Sequence, residues 1–353
     1  MTAKLEFVWP LIGHEKNREF LQTGVIQKRL AQTYLFYGPE KIGKTTLAKY
    51  LAKTVFCKSF VEYNKLSNLL TDSVAPAKLP CGVCENCLQF DRGIYPEFYI
   101  IDRELNEKTG EKRQNVTINQ IRELQEKLNK RAFSNSYKVA IIRGAETLTK
   151  EASNALLKTL EEPNPNTILI LLTTSKEMIL KTIQSRSQNL QFLPVTKNEI
   201  HQYLISKGLS VTDADEVASL SQGRPTIALK YLENKEIVKD QIDEGGAWLD
   251  LLSQDNHSKL KLAEKISKEK LSQDAIVKKL TMLSTVIRDL LLARANQQDL
   301  ITFKSLTPVM QVCAKEKGDQ DLTKFLQNIE QAKIQLAQNV NVRLVLENLF
   351  LNI

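Results

Sequence analysis

The chain has 353 residues, 42% of them hydrophobic and 25% charged, with a formal net charge of +8. That length supports two or three domains with cores of their own, and the composition is that of a soluble globular protein. No apolar run approaches the about eighteen residues of a membrane span, and Met1-Thr2-Ala3-Lys4-Leu5-Glu6 lacks the apolar core of a signal peptide, so no membrane association and a cytoplasmic location are expected.

The positive balance favours a polyanionic partner, because lysines and arginines gain affinity by releasing counterions. The basic residues are nevertheless scattered, as on an ordinary solvated surface.

Residues 1 to 33 read as a mostly helical lead-in, with Leu11-Ile12-Gly13-His14 as a turn. His14 has no ligand-like partner nearby and is read as structural. Tyr34-Leu35-Phe36-Tyr37 is a short β-prone apolar run. It is followed by Gly38-Pro39-Glu40-Lys41-Ile42-Gly43-Lys44-Thr45, which fits the phosphate-loop pattern G-x-x-x-x-G-K-[ST]. Beyond it, Leu47, Ala48, Leu51 and Ala52 have the spacing of a helix with one buried face. Strand before and helix after are the context this loop needs. Glycines let successive N–H groups point at phosphate oxygens, and the helix N-terminus adds its positive end. Gly38, Gly43, Lys44, Thr45 and Thr46 are therefore the expected nucleotide contacts, with Lys44 reaching the β- and γ-phosphates and Thr45 holding Mg²⁺. A plain strand–helix turn is the bland alternative.

Four of the five cysteines cluster. Cys81-Gly82-Val83-Cys84-Glu85-Asn86-Cys87 is a double C-x-x-C with a shared middle member, and Cys57 at the end of the preceding helix can close a tetrahedron. A structural Zn²⁺ held by Cys57, Cys81, Cys84 and Cys87 is expected. Free thiols or an iron–sulfur cluster are the other readings, and no open coordination position for catalysis is implied. Cys313 stands alone and is read as core.

The stretch Lys58 to Ala77 is polar and reads as irregular. Glu97 to Asp102 is a strand, Asn106 to Arg113 a charged loop, and Thr117 opens a helix with Ile118, Ile121, Leu124 and Leu128 on one face. Lys138 to Ile142 is a buried strand. Lys150 to Leu160 is a helix stopped by Pro163. Thr167 to Leu172 is another buried strand, ending in Thr173-Thr174. Continuous apolar strands alternating with helices imply a parallel sheet covered on both faces. The sheet is expected to close near Phe192-Leu193, and Pro194 marks a linker. Lys197 to Leu232 reads as a small helical unit, Gly245-Gly246 as a breaker, and Ala247 to Ile353 as all-helical.

Hydrolysis needs a carboxylate at a neighbouring strand end to hold Mg²⁺ and another to polarise water. Ile100-Ile101-Asp102 supplies an acid, whereas Ile141-Ile142-Arg143-Gly144 does not, and Glu146 falls two residues late. Pattern alone favours Asp102, whose bland reading is a turn cap.

A long ordered series of motifs resembles the clamp-loader subunits of bacterial DNA polymerase III in the AAA+ family, most closely those of delta-prime type. The series comprises Gly38–Thr45, the Cys81–Cys87 knuckle, Ile121-Arg122-Glu123-Leu124, Tyr137-Lys138-Val139, Ala152 through Pro163, Thr182-Ile183-Gln184-Ser185-Arg186-Ser187 and Asn339 through Leu344. The resemblance implies an α/β AAA+ P-loop domain over 1–193 with a zinc-binding insertion at 57–87, a helical lid over 194–243, and an all-α collar over 244–353. It places the two acids of the hydrolytic motif at Arg143 and Gly144, so intrinsic ATPase activity is expected to be weak or absent.

Arg186 corresponds to an arginine finger acting in trans on a neighbouring subunit, with Ser187 where the family commonly has cysteine. Thr173-Thr174 falls at sensor 1, with Thr174 as its nucleotide contact, and Arg224 falls at sensor 2. The implied partners are gamma/tau and delta subunits in a heteropentamer, the sliding clamp, and primer-template DNA through the assembly. Glu161 and Glu162 oppose the dipole of their own helix, by about 0.3–1 kcal/mol each, which an interface contact or simple solvation could explain. Competing readings are an active gamma/tau-like ATPase using Asp102 or Glu146, and a zinc-containing nucleic-acid-binding regulator with a vestigial P-loop. A small-molecule kinase would leave the helical C-terminal region unexplained.

Overall fold

The computed structural model describes residues 5–66, 78–105, 113–130, 137–162, 164–269, 271–314, 318–338 and 340–352. Two compact units result, Met1–Val195 with Arg224–Thr226, and Thr196–Gly223 with Ile227–Ile353.

In the first unit the elements run β1 (Glu6–Phe7), α1 (Glu15–Ile26), β2 (Thr33–Tyr37), α2 (Lys44–Phe56), α3 (Lys58–Leu66), β3 (Lys78–Leu79) and α4 (Glu85–Asp91). They continue with β4 (Phe98–Ile101), α5 (Ile118–Asn129), β5 (Lys138–Arg143), α6 (Lys150–Glu161), β6 (Thr167–Thr173), α7 (Lys181–Ser185) and β7 (Gln188–Gln191). Five strands form one parallel sheet in the order β4-β5-β6-β2-β7.

Successive strand residues point to opposite faces, and in β2, β5 and β6 both faces are dry. Tyr34, Phe36, Val139, Ile141, Ile168, Ile170 and Leu172 pack with Leu21 and Val25 of α1 and Leu47 and Leu51 of α2. Their neighbours Leu35, Ala140, Ile142, Leu169 and Leu171 pack with Ile121, Leu124 and Leu128 of α5 and Leu156 and Leu160 of α6. The strands thus read as unbroken apolar runs because neither side meets water. The α5 start carries a capping box, in which the Thr117 N–H donates to Gln120 Oε1 at 3.0 Å.

Several local expectations need correction. Glu6–Phe7, expected within a mostly helical lead-in, pairs as a strand with Lys78–Leu79. Lys58–Leu66, expected to be irregular, is helical, since its few apolar residues include the buried Phe60. Residues 67–77, residues 106–112 of the charged loop expected from Asn106 to Arg113, and Pro163 lie outside the described residues. The edge strand β7 had no pattern to reveal it, because only Leu190 of its four residues is buried.

The second unit is helical: α8 (Lys197–Ser206), α9 (Val211–Ser221), α10 (Pro225–Glu233, whose first turn groups with the first unit), α11 (Lys235–Ser253) and α12 (Asn256–Lys268). It ends with α13 (Gln273–Arg294), α14 (Thr307–Cys313), α15 (Asp319–Ala337) and α16 (Val342–Leu351). Packing pairs α8 with α9, α12 with α16 and α13 with α15. The expected breaker Gly245-Gly246 lies inside the uninterrupted α11, as does the expected division at 243/244. Gly245 is there for close approach, since a Cβ on it would come within 2.8 Å of the Phe303 ring. Cys313, expected in the core, is partly exposed at the end of α14.

Candidate functional site

The phosphate loop joins β2 to α2 where the sheet's C-terminal edge opens. Gly38 has φ 140°, and a Cβ there would lie 2.1 Å from the Phe192 carbonyl oxygen. Gly43 has φ 106°, and a Cβ there would lie 2.9 Å from Leu11 Cδ1. Both glycines are therefore required, by backbone conformation and by contact. The Gly38 N–H donates to Thr173 O at 3.3 Å. His14 Nε2 lies 2.8 Å from Ile42 O, and its ring packs 4.8 Å from that of Phe192. His14 is thus structural, as expected, but what it supports is the loop itself.

Lys44 opens α2 and is buried, with Nζ donating to Gly38 O at 2.5 Å and to Pro39 O at 2.6 Å. Burial pushes its pKa down, and the carboxylates of Glu146 and then Glu40 oppose that shift. Thr45 and Thr46 follow at the half-buried first turn. Arg224 groups with this unit, and two residues later the Thr226 N–H donates to Lys41 O at 3.2 Å. Curled glycines, a buried lysine and a helix N-terminus suit an anionic phosphate.

Sheet order decides which acids can serve this loop. Asp102 follows β4, three strands from β2, or about 14 Å at about 4.8 Å per strand. It lies 3.8 Å from Arg143 and accepts the Arg103 N–H at 2.8 Å. The strand-end acid favoured by pattern is therefore a turn cap and a counter-charge. Arg143 ends β5, opposite Leu172 of β6, and is the position at which the resemblance leads one to expect an acid. Gly144, with φ 62°, then turns the chain into a 3-10 helix, Ala145–Thr147. That turn brings Glu146 to Thr174, whose Oγ1 donates to Glu146 Oε1 at 2.8 Å and whose N–H donates to the same oxygen at 3.2 Å. Glu146 Oε2 is buried without a hydrogen-bond partner. The spacing in sequence gives no hint of this contact, which the parallel crossover between β5 and β6 creates.

Arg186 caps the C-terminus of α7 and is partly exposed. Its guanidinium meets Glu161 Oε1 at 2.9 Å and donates to Thr182 O at 3.2 Å. Neither partner belongs to the phosphate loop. The Ser187 hydroxyl donates to Ile183 O at 2.7 Å, so the serine is used locally within the same turn.

The four cysteines converge. One sulfur from each of Cys57, Cys81, Cys84 and Cys87 lies within 4.8 Å of all the others, and those of Cys81 and Cys87 are 4.0 Å apart. A Zn–S bond of about 2.3 Å implies sulfur–sulfur edges of about 3.8 Å, so the cluster fits a tetrahedral ion. Gly82 takes φ 76° to make the knuckle turn. The Cys81 N–H points at Cys57 Sγ and the Cys84 N–H at Cys81 Sγ, both at 3.4 Å, which favours thiolates. A hydrogen bond from Cys87 pulls the Cys57 thiol down to about 4, against the effect of burial, and Cys87 is pushed up in return. Asn86 Nδ2 donates to Phe56 O at 2.8 Å and fixes the knuckle to the end of α2.

Comparison with known proteins identifies the family. A family model described as DNA polymerase III, delta subunit matches residues 13–196, and a model for the C terminal of the delta subunit matches residues 247–353. A DNA polymerase III subunit delta' of Bacillus subtilis is 28% identical over 337 residues, covering 94% of each chain. A subunit tau of the same organism is 32% identical over 233 residues, covering 63% of this chain and 36% of its own. A solved gamma subunit-related protein of Thermotoga maritima aligns over 94% of this chain and 97% of its own, at 18% identity and a TM-score of 0.46. The chain belongs to the DNA polymerase III delta-subunit family as a delta-prime-type member, built of a parallel-sheet α/β domain and helical C-terminal domains.

Proposed function

We propose that the chain works as a clamp-loader subunit that assists ATP-dependent loading of a sliding clamp on primed DNA without driving hydrolysis itself. The observation that carries this reading is the end of β5. Arg143 and Gly144 stand where a metal-holding acid and a water-polarising acid are needed, and Asp102 neutralises Arg143 from the adjacent strand. A cation at that position opposes Mg²⁺, and without a base the attacking water has no fixed orientation. Lys44, Thr45 and Thr46 with Gly38 and Gly43 still suit a nucleotide, with Arg224 and, once it is released from Glu146, Thr174 as further contacts. When bound, ATP would supply triphosphate charge for these groups to hold.

Arg186 serves a neighbouring subunit in this reading. Its partial exposure and its hold by Glu161 keep a guanidinium presented at the surface, and a fixed guanidinium beside a γ-phosphate stabilises the charge of phosphoryl transfer. The helices after residue 194 act as a lid and then as an oligomerisation collar, the expected bounds 194–243 and 244–353 giving way to a passage within α11. The partners are gamma/tau and delta subunits in a cytoplasmic heteropentamer, together with the clamp and the primer-template. Zn²⁺ held by Cys57, Cys81, Cys84 and Cys87 is structural, joining the end of α2 to the knuckle and leaving no open position for chemistry.

A second reading, an active ATPase using Glu146, draws on that carboxylate's effect on Lys44. The purified chain alone discriminates. Release of phosphate from ATP at no more than background is expected, and turnover matching a motor subunit would favour the second reading.

A further inference from the structure

Glu146 occupies an unusual position for a carboxylate. Strands β2 and β6 are neighbours, with Tyr37 opposite Thr173, so Gly38 of the phosphate loop and Thr174 leave the sheet side by side. The Gly38 N–H on Thr173 O fixes that adjacency. Both donors of Thr174, the hydroxyl and the N–H, are already taken by Glu146 Oε1. The second oxygen of the carboxylate is buried and has no hydrogen-bond partner. The carboxylate also acts on Lys44, the cation of the loop.

We propose that Glu146 is a charged tether that makes the phosphate loop accept a nucleoside diphosphate in preference to a triphosphate. The inference rests on the reading of Gly38–Thr45 as a nucleotide cradle. The α- and β-phosphates need only the loop's amides and Lys44, none of which Glu146 obstructs. A third phosphate extends from the loop toward the next strand end, where Thr174 has no donor left to offer. It either breaks two hydrogen bonds to a carboxylate or lies against that carboxylate, anion to anion. A magnesium ion between them would relieve the repulsion, but the strand end that should help hold it carries Arg143. The same carboxylate that could look like a replacement acid thus acts as a filter on charge.

Titration calorimetry of the full-length chain with ADP and with ATP, each with Mg²⁺, tests this. The unaltered chain is expected to bind ADP about tenfold more tightly than ATP, the scale of one charge-assisted hydrogen bond. Glu146→Gln removes the charge and keeps an acceptor for Thr174, whereas Glu146→Ala frees both donors. Each should raise ATP affinity about tenfold and leave ADP within about twofold. Equal affinities in the unaltered chain, or weaker ATP binding by Glu146→Gln, would overturn the tether; the latter result would mark Glu146 as a magnesium ligand. If neither nucleotide binds the unaltered chain, the cradle reading itself fails, and the tether fails with it.

Discussion

At the scale of single residues, the phosphate loop is held by its surroundings more tightly than its motif suggests. Gly38 is caught between a left-handed backbone and the Phe192 carbonyl, so Gly38→Ala has no small adjustment available. That substitution should cost at least about 2 kcal/mol, measured by urea unfolding, because backbone would have to move. Unchanged stability would mean that the β7 end yields easily. Arg186 and Glu161 form a partly exposed pair, which contributes little to stability but does orient the guanidinium. Gly38, Gly43, Lys44, Thr45 and Thr46 lie in the loop or the first helical turn after it, whereas Asp102, the acid favoured by pattern, lies far from it. Its distance was hidden because sequence order says nothing of strand order, and three strand spacings separate it from the loop.

Among the elements, α11 offers a paired test. Gly245 packs against the Phe303 ring, but a Cβ on Gly246 would have nothing nearer than Leu306 Cδ2 at 4.0 Å. Gly246→Ala should therefore stabilise the chain by about 0.4–1 kcal/mol, from helix propensity and a less flexible unfolded chain. Gly245→Ala should destabilise it, because the buried ring must shift. Thermal melts of the two variants check both signs. Equal shifts in either direction would contradict the packing.

The proposed zinc site of the cysteine knuckle is tested at the same scale. Metal analysis should find about one Zn²⁺ per chain. Cys84→Ser, which deletes one of four ligands, should lower Tm by about 4–10 °C if it removes about 2–3 kcal/mol. A metal-free protein of unchanged Tm would favour plain thiols.

The buried sheet was legible in the sequence because β2, β5 and β6 are covered on both faces and so read as unbroken apolar runs. The edge strand β7 and the short pair β1–β3 were not, since half-exposed or two-residue strands leave no periodicity. Likewise Gly245-Gly246 looked like a breaker because composition cannot distinguish a glycine that ends a helix from one that lets a neighbouring ring approach. The four cysteines were legible as a set because ligand spacing is local around the knuckle. The Glu146–Thr174 contact was not, being made only when two parallel strands end side by side.

Across the whole molecule, the proposed holding of phosphate is separate from its hydrolysis. The first capacity is built from Gly38, Gly43 and Lys44 at one strand end; the second is opposed by Arg143 at another. In the proposed function the chain contributes to a motor by position, with Arg186, held by Glu161, as the exposed cation it presents. The most direct test is the clamp- and DNA-stimulated ATPase of a reconstituted complex carrying Arg186→Ala, with assembly verified by size. The account predicts intact assembly and a fall of about 10³ in turnover at the site that the arginine serves. Assembly with undiminished turnover would contradict it.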